Sequence, residues 1–274
     1  MFQATPRKDS GLVSALTLMV LVYHATVRSI RKSHNNAFMA IFINVLQMLI
    51  FVLVFFFIFT ILGLRGSAIR GDFLLYIMSG IFLFMTHTKA MGAVVGSEGP
   101  ASPMMQHAPM NTIIAIASAA IGALYVQVLS LGIILLGYHV AVNPVVIEHP
   151  PAAFGMLMIS WFTGVALGIV LLGIKPWFPQ FVDIFTQVYR RANMIASGKM
   201  VVANSLPGSL LVLFDWNPLF HAIDQARGFV FINYNPHYSD WRYAVWVGVV
   251  LLTIGLMGEF YTRRHASISW NARR

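Results

Sequence analysis

The sequence predicts an all-α membrane protein with six transmembrane helices, an amphipathic interface helix over residues 11–33, and a re-entrant helical hairpin over 205–240 between the fifth and sixth crossings. Three observations predict it. The 274 residues are 58% hydrophobic and only 10% charged, with a mean hydropathy of +0.75, far from the balance of a water-soluble domain. Apolar runs of about 20 residues, the length that crosses a bilayer core, recur along the chain. Prolines gather between those runs, where they turn the backbone.

The elements follow in order. From Leu12 to Val27, Ser14, Thr17 and His24 continue with Arg28 and Arg31 along one helical face, and Leu12, Leu16, Met19, Val20 and Tyr23 occupy the other. That division is expected of a helix lying in the membrane interface. No convincing small-x-small site follows in "YHATVRSIRK", so a signal peptide is not expected. Phe38 to Leu62 is the first span and carries no charge; Phe73 to Val95, after the polar "GLRGSAIRGD", is the second. The stretch "GSEGPASPMMQHAPMN" is too polar for lipid and reads as a loop with at most a short helix.

Thr112 to Val140 is the third span and Ala152 to Ile174 the fourth, with Gly164 and Gly168 spaced for close helix packing. Phe181 to Asn204 is a weaker fifth, interrupted by Asp183, Arg190, Arg191 and Lys199. Tyr243 to Tyr261 is the sixth. Before it, Asn217 reads as an N-cap, Pro218 as the first helical residue and Gly228 as the stop. A helix of about ten residues, roughly 15 Å, is too short to cross a bilayer. Its Leu219, Phe220 and Ile223 face is too apolar to stand in water, so it is read as re-entrant or interfacial. Pro207 opens a similar unit, "LPGSLLVLF", just upstream.

Charge sets the orientation. Arg7, Lys8, Arg28, Arg31, Lys32, Lys89, Lys175, Arg263, Arg264, Arg273 and Arg274 fall on the side of the termini, against Arg65, Arg70, Arg227 and Arg242 on the other. The positive-inside bias therefore expects both termini in the cytoplasm. The same bias accounts for a net charge of +9 without nucleic acid, for which no basic patch with interleaved aromatics is present. The chain has no cysteine and no H-x-x-x-H pair, so no metal site is expected. "ASGKM" lacks the leading glycine and the Ser or Thr of a phosphate loop, so ATP would be hydrolysed on another chain.

Arg190 and Arg191 are the sharpest feature inside a span, because a charge at mid-membrane costs about 2.5 to 3.5 kcal/mol on insertion scales. Either they neutralise Asp183 or Glu259 or snorkel to headgroups, or they line a watery path for an anionic or strongly hydrated substrate, with Tyr189 and Trp177 as faces for sugar rings. His221, Asp224 and Arg227 lie three residues apart and are expected to form a local ion pair or ladder that clasps the hairpin. No catalytic residue is assigned, since no nucleophile or second carboxylate stands near them.

"SGKMVVANSLP" followed by "WNPLFHAIDQARGFVF" resembles the S-G-x-x…L-P…N-P-L-x-H-x-I-E-x-x-R region of ABC-2 type permeases, with Asp224 where glutamate is usual. With the element order, the likeness is nearest to capsular polysaccharide and O-antigen export permeases. "SPMMQHAPMNTIIA" lies where that family has its coupling helix. The resemblance implies a homodimeric channel in the bacterial inner membrane, with cytoplasmic ABC ATPase subunits that carry the ATP and magnesium, docked on residues 97–108 at Glu98, Pro100, Pro103, Met104, Gln106 and His107. It implies a translocation path at Tyr189, Arg190, Arg191 and Lys199, and a periplasmic gate at Pro207, Trp216, Asn217, Pro218, His221, Asp224 and Arg227. A polysaccharide substrate, no cofactor in this chain, and export partners in the periplasm and outer membrane follow from the same likeness. An ABC-2 exporter of a lipid or drug, and a polyprenyl-linked membrane glycosyltransferase, are the alternatives.

Overall fold

A computed structural model of the chain describes residues 11–34, 37–63, 69, 71–99 and 112–265. They form nine α-helices: α1 Gly11–His34, α2 Ala37–Ile61, α3 Phe73–Val95, α4 Thr112–Ala141, α5 Pro150–Ile174, α6 Pro179–Ala196, α7 Gly208–Asp215, α8 Pro218–Val230 and α9 Trp241–His265. There is no β-strand among the described residues. Five helices, α2, α3, α4, α5 and α9, are long and apolar enough to cross a membrane. Their bounds fall within a few residues of the apolar runs, because an uninterrupted apolar run of this length is marked by composition alone.

The helix at the centre is α3. Asp72 caps it by accepting the backbone N–H groups of Leu74 and Leu75, and every side chain from Leu75 to Thr88 is buried. Two seams of small residues bind it to α5, and α5 to α9. A Cβ on Gly164 would collide with the backbone of His87, and one on Gly168 would lie 2.8 Å from the Val94 side chain. Along α9, Gly248 faces Phe162 and Gly255 faces Ile169 and Val170, while Gly173 on α5 faces Gly258 and Glu259. Sequence number rises together along each pair, so α3, α5 and α9 run parallel. Where backbones approach this closely, dispersion across the contact replaces the side chains that a larger residue would bring.

Beside them α6 runs the opposite way along α3. Val182 packs with Val95 at one end, Tyr189 reaches His87 midway, and Lys199, beyond the helix, meets Gly80 at the other. The helix is shorter than the apolar run suggests, 18 residues ending at Ala196 rather than at Asn204. Its end is fixed by Gly198, whose φ of +64° favours glycine and whose absent Cβ leaves room for the Phe220 ring. In the same way α8 is longer than the expected ten residues. It continues through Gly228 to Val230, and Gly228 serves instead as the place where Pro236 closes in, its Cδ 2.6 Å from where a Cβ would sit.

Candidate functional site

A cavity of about 530 Å³ opens between α1, α2, α3, α4 and α6, within the size range of small-molecule sites. Lys89 on α3 and Arg190 and Arg191 on α6 all line it, with Asn44 and Gln47 from α2, Thr88 from α3 and Gln127 from α4. No carboxylate is among its described lining residues. Of the two carboxylates that could have neutralised the arginines, Asp183 is exposed on α6 and Glu259 is buried on α9 against Gly173; neither reaches the cavity. The Arg190 guanidinium lies against Gly92, whose missing side chain makes the space it occupies.

The polar wall is held by long-range hydrogen bonds. Lys89 Nζ donates to Gln47 Oε1 at 2.5 Å. Asn44 Nδ2 donates to Gln127 Oε1 and to Ser130, and the buried Gln127 Nε2 has no partner among the described residues. The cavity is thus rich in donors and positive charge, the composition that accepts an oxyanion. Lys89, Asn44, Gln47 and Gln127 are not singled out by the sequence. The signal is that Asn44, Gln47 and Gln127 are amides within apolar runs and that Lys89 ends the polar stretch 86–89 of the second run.

Of the other residues expected on the path, Tyr189 and Lys199 do not line the cavity. Tyr189 lies behind it, donating its hydroxyl to His87 Nε2 at 2.9 Å. His87 Nδ1 faces the Ser160 carbonyl at 3.1 Å; a carbonyl only accepts, so Nδ1 carries the proton and Nε2 receives the tyrosine's. Trp177 is elsewhere, with its indole N–H donating to Thr262 and its ring stacked on Tyr261. Lys199 is buried with its Nζ 3.6 Å from the centre of the Phe84 ring, and it also faces Phe55 and Phe51.

The second polar centre is α8. Asn217 caps it by accepting Leu219 N–H and ties it to α6 through Asn193 and the Ala196 carbonyl. Pro218 is its first residue. His221, Asp224 and Arg227 are buried but do not form the expected ladder along one helix; each reaches a different segment. His221 Nε2 donates to the Asp215 carbonyl at 2.7 Å and Nδ1 accepts from Asp240 N–H at 3.0 Å. Asp224 accepts from the hydroxyls of Tyr234 and Ser239. Burial and that carboxylate push the Tyr234 phenol above its ordinary value. Arg227 donates to the carbonyls of Gly198, Lys199 and Val201 and lies over the Tyr76 ring. A local i, i+3 rule loses here because buried groups take the partners that tertiary packing presents.

Of the remaining gate residues, Pro207 precedes α7 as its cap and Trp216 ends it, 60% exposed. Tyr243 on α9 donates to the Trp216 carbonyl. The residues expected to couple to an ATPase divide: Glu98 stands just past the end of α3, half-buried, and Pro100, Pro103, Met104, Gln106 and His107 lie outside the described residues. No protein-family model matches the chain, and no curated protein matches it.

Proposed function

We propose that the chain is the permease subunit of an ATP-driven ABC-2 type exporter that moves a polysaccharide, of capsular or lipid-linked O-antigen type, from cytoplasm to periplasm. The observation that carries this reading is the cavity in which Lys89, Arg190 and Arg191 converge without an acidic partner among the described residues. Three basic side chains lodged among apolar helices are costly unless water or an anion meets them. A capsular or lipid-linked glycan brings hydroxyls and acidic groups that the amides and guanidinium forks of this wall can bind.

In this reading α6 is a sixth crossing. It runs antiparallel to α3 between parallel α5 and α9, and its 18 residues reach roughly 27 Å at the helical rise. Its apolar residues Phe181, Ile184, Phe185 and Val188 are exposed, the face that lipid or a second copy of the chain would cover. The α1 helix, which presents Met19, Val20 and Tyr23 outward and contacts Gly122 of α4 through Thr26 and Ile30, lies in the cytoplasmic interface beside the cavity mouth. The α7–α8 pair dips in from the periplasmic side as the gate, clasped by His221, Asp224 and Arg227. Two copies and two cytoplasmic ATPase subunits complete the machine, with both termini in the cytoplasm.

The test is charge reversal at the cavity. With Arg190→Glu and Arg191→Glu together, a chain present in the membrane at the wild-type level is expected to lose surface glycan in the producing cell. Unchanged glycan would remove the arginines from the path and with them the ground for this function.

A further inference from the structure

We propose that Lys199 is a concealed anion-binding station beyond the basic cavity, screened from it by the phenyl rings of Phe51 and Phe84. The inference rests on the reading of that cavity as the substrate path. Lys199 is 3% exposed, and its Nζ has no hydrogen-bond partner among the described residues. Its surroundings are three aromatic rings, with centroids 3.6 Å (Phe84), 4.9 Å (Phe55) and 5.3 Å (Phe51) from Nζ. Phe51 and Phe84 also line the cavity that holds Lys89, Arg190 and Arg191. A single aromatic layer therefore separates a fourth cation from the other three.

Packing alone does not account for this lysine. Ring faces attract an ammonium, but they replace none of the three hydrogen bonds it makes in water. A methionine of similar length would fill the same space without that desolvation. Nor can Lys199 swing out to water from its own end. Arg227 holds the carbonyls of Gly198, Lys199 and Val201, and Gly80 backs the segment so closely that a Cβ there would lie 2.9 Å from Lys199 Cβ. Exposure of the ammonium therefore has to come through movement of the rings. When Phe84 and Phe51 turn aside, the ammonium faces the cavity with its donors unspent. An oxyanionic group leaving the Arg190 and Arg191 pair then meets a cation placed next to α8, which Arg227 links to the same backbone segment.

The chain has no cysteine, so Lys199→Cys introduces a lone thiol. The purified chain in neutral-lipid nanodiscs is reacted with a sulfonate-bearing methanethiosulfonate and with its trimethylammonium counterpart. In the Lys199→Cys, Phe84→Ala chain, the anionic reagent is expected to react about tenfold faster than in Lys199→Cys alone, and about tenfold faster than the cationic reagent, as electrostatic focusing predicts. Adding Arg190→Gln and Arg191→Gln should abolish the preference for the anion. Loss of packing around Phe84 would speed both reagents alike and leave no dependence on the arginines, so that result overturns the proposal. Equal rates with and without Phe84 overturn it too. Separately, Lys199→Met is expected to melt at or above the wild-type temperature, since the ammonium is carried at a cost; a clear fall in the midpoint counts against the station. If the labelling pattern appears while Arg190→Glu, Arg191→Glu cells keep their surface glycan, the station stands and the glycan reading fails.

Discussion

The Arg227 guanidinium on α8 donates to the backbone carbonyl of Lys199, while the Lys199 side chain runs the other way into the rings of Phe51, Phe55 and Phe84. One buried cation therefore holds the backbone of another. Arg227 is 1% exposed, and three carbonyls and the Tyr76 ring meet its charge in place of a carboxylate contact. Replacing it with methionine strands those neutral carbonyls, and a loss of at least about 1 to 3 kcal/mol is expected, the cost of leaving a buried acceptor unsatisfied. Arg227→Lys should fall between, because a point ammonium cannot span three acceptors as the planar fork does. Unfolding of the purified chain in detergent measures both; an Arg227→Met chain as stable as wild type would contradict the assignment.

The Asp224 arm of the clasp has its own signature. Tyr234 donates to Asp224 and is buried, and burial followed by the Asp224 charge raises its phenol from the ordinary 10.0. The folded state thus holds this proton more tightly than the unfolded state. The stabilisation is fully present below the unfolded value and is lost as pH rises above it toward the folded one. Melting temperature should decline from about pH 10 upward, and Tyr234→Phe should flatten that decline. The same variant leaves Asp224 with Ser239 alone and should cost about 1.5 to 3 kcal/mol at neutral pH, the range for a hydrogen bond to a charged group. A wild-type-like slope in Tyr234→Phe would place the alkaline transition elsewhere.

Gly198 allows a test of the turn that presents Lys199. Its φ of +64° and its contact with the Phe220 ring both oppose a side chain. Gly198→Ala is expected to lose more than the 1 to 2 kcal/mol, roughly, of the left-handed conformation alone. Gly258 is the control, a helical glycine where a Cβ meets nothing within 4 Å; there alanine should stabilise by about 0.5 to 1 kcal/mol. Equal effects at the two positions would deny Gly198 its special role.

How far the sequence carried can be judged from these residues. The apolar runs place α2, α3, α4, α5 and α9 to within a few residues, and Asn217 with Pro218 opens α8 as capping chemistry requires. Periodicity does not reach further than a helix turn or two. The i, i+3 spacing of His221, Asp224 and Arg227 predicts contacts with one another, yet their partners lie at Asp215, Asp240, Tyr234, Ser239 and residues 198–201. The cavity is assembled from Asn44, Lys89, Gln127 and Arg190, on four helices far apart in the chain. Arg190, with Arg191 beside it, stands out in the sequence, but Asn44, Lys89 and Gln127 read as unrelated polar positions until packing brings them together. Gly228 resembles a helix stop because glycine commonly is one; only the approach of Pro236 reveals its use.

The seam between α3 and α5 gives the last prediction. Gly164 lies against the backbone carbonyl of His87, and His87 is the hub where Ser160 and Thr163 of α5 meet Tyr189 of α6. A methyl group at 164 has no flexible side chain to displace, only backbone, so the two helices must separate. Overpacking of this kind costs about 1 to 3 kcal/mol. Separation would also stretch the His87 bond to the Ser160 carbonyl and loosen the tautomer that lets Tyr189 donate to Nε2. Because Tyr189 adjoins Arg190, the disturbance should extend to the cavity: Gly164→Ala is expected to weaken binding of a multivalent oxyanion probe such as inorganic diphosphate several-fold, as well as lower the melting temperature. Gly132→Ala on α4, where a Cβ would meet nothing within 4 Å, should change neither. If Gly164→Ala lowers stability but leaves diphosphate binding intact, the seam holds the fold without positioning the arginines.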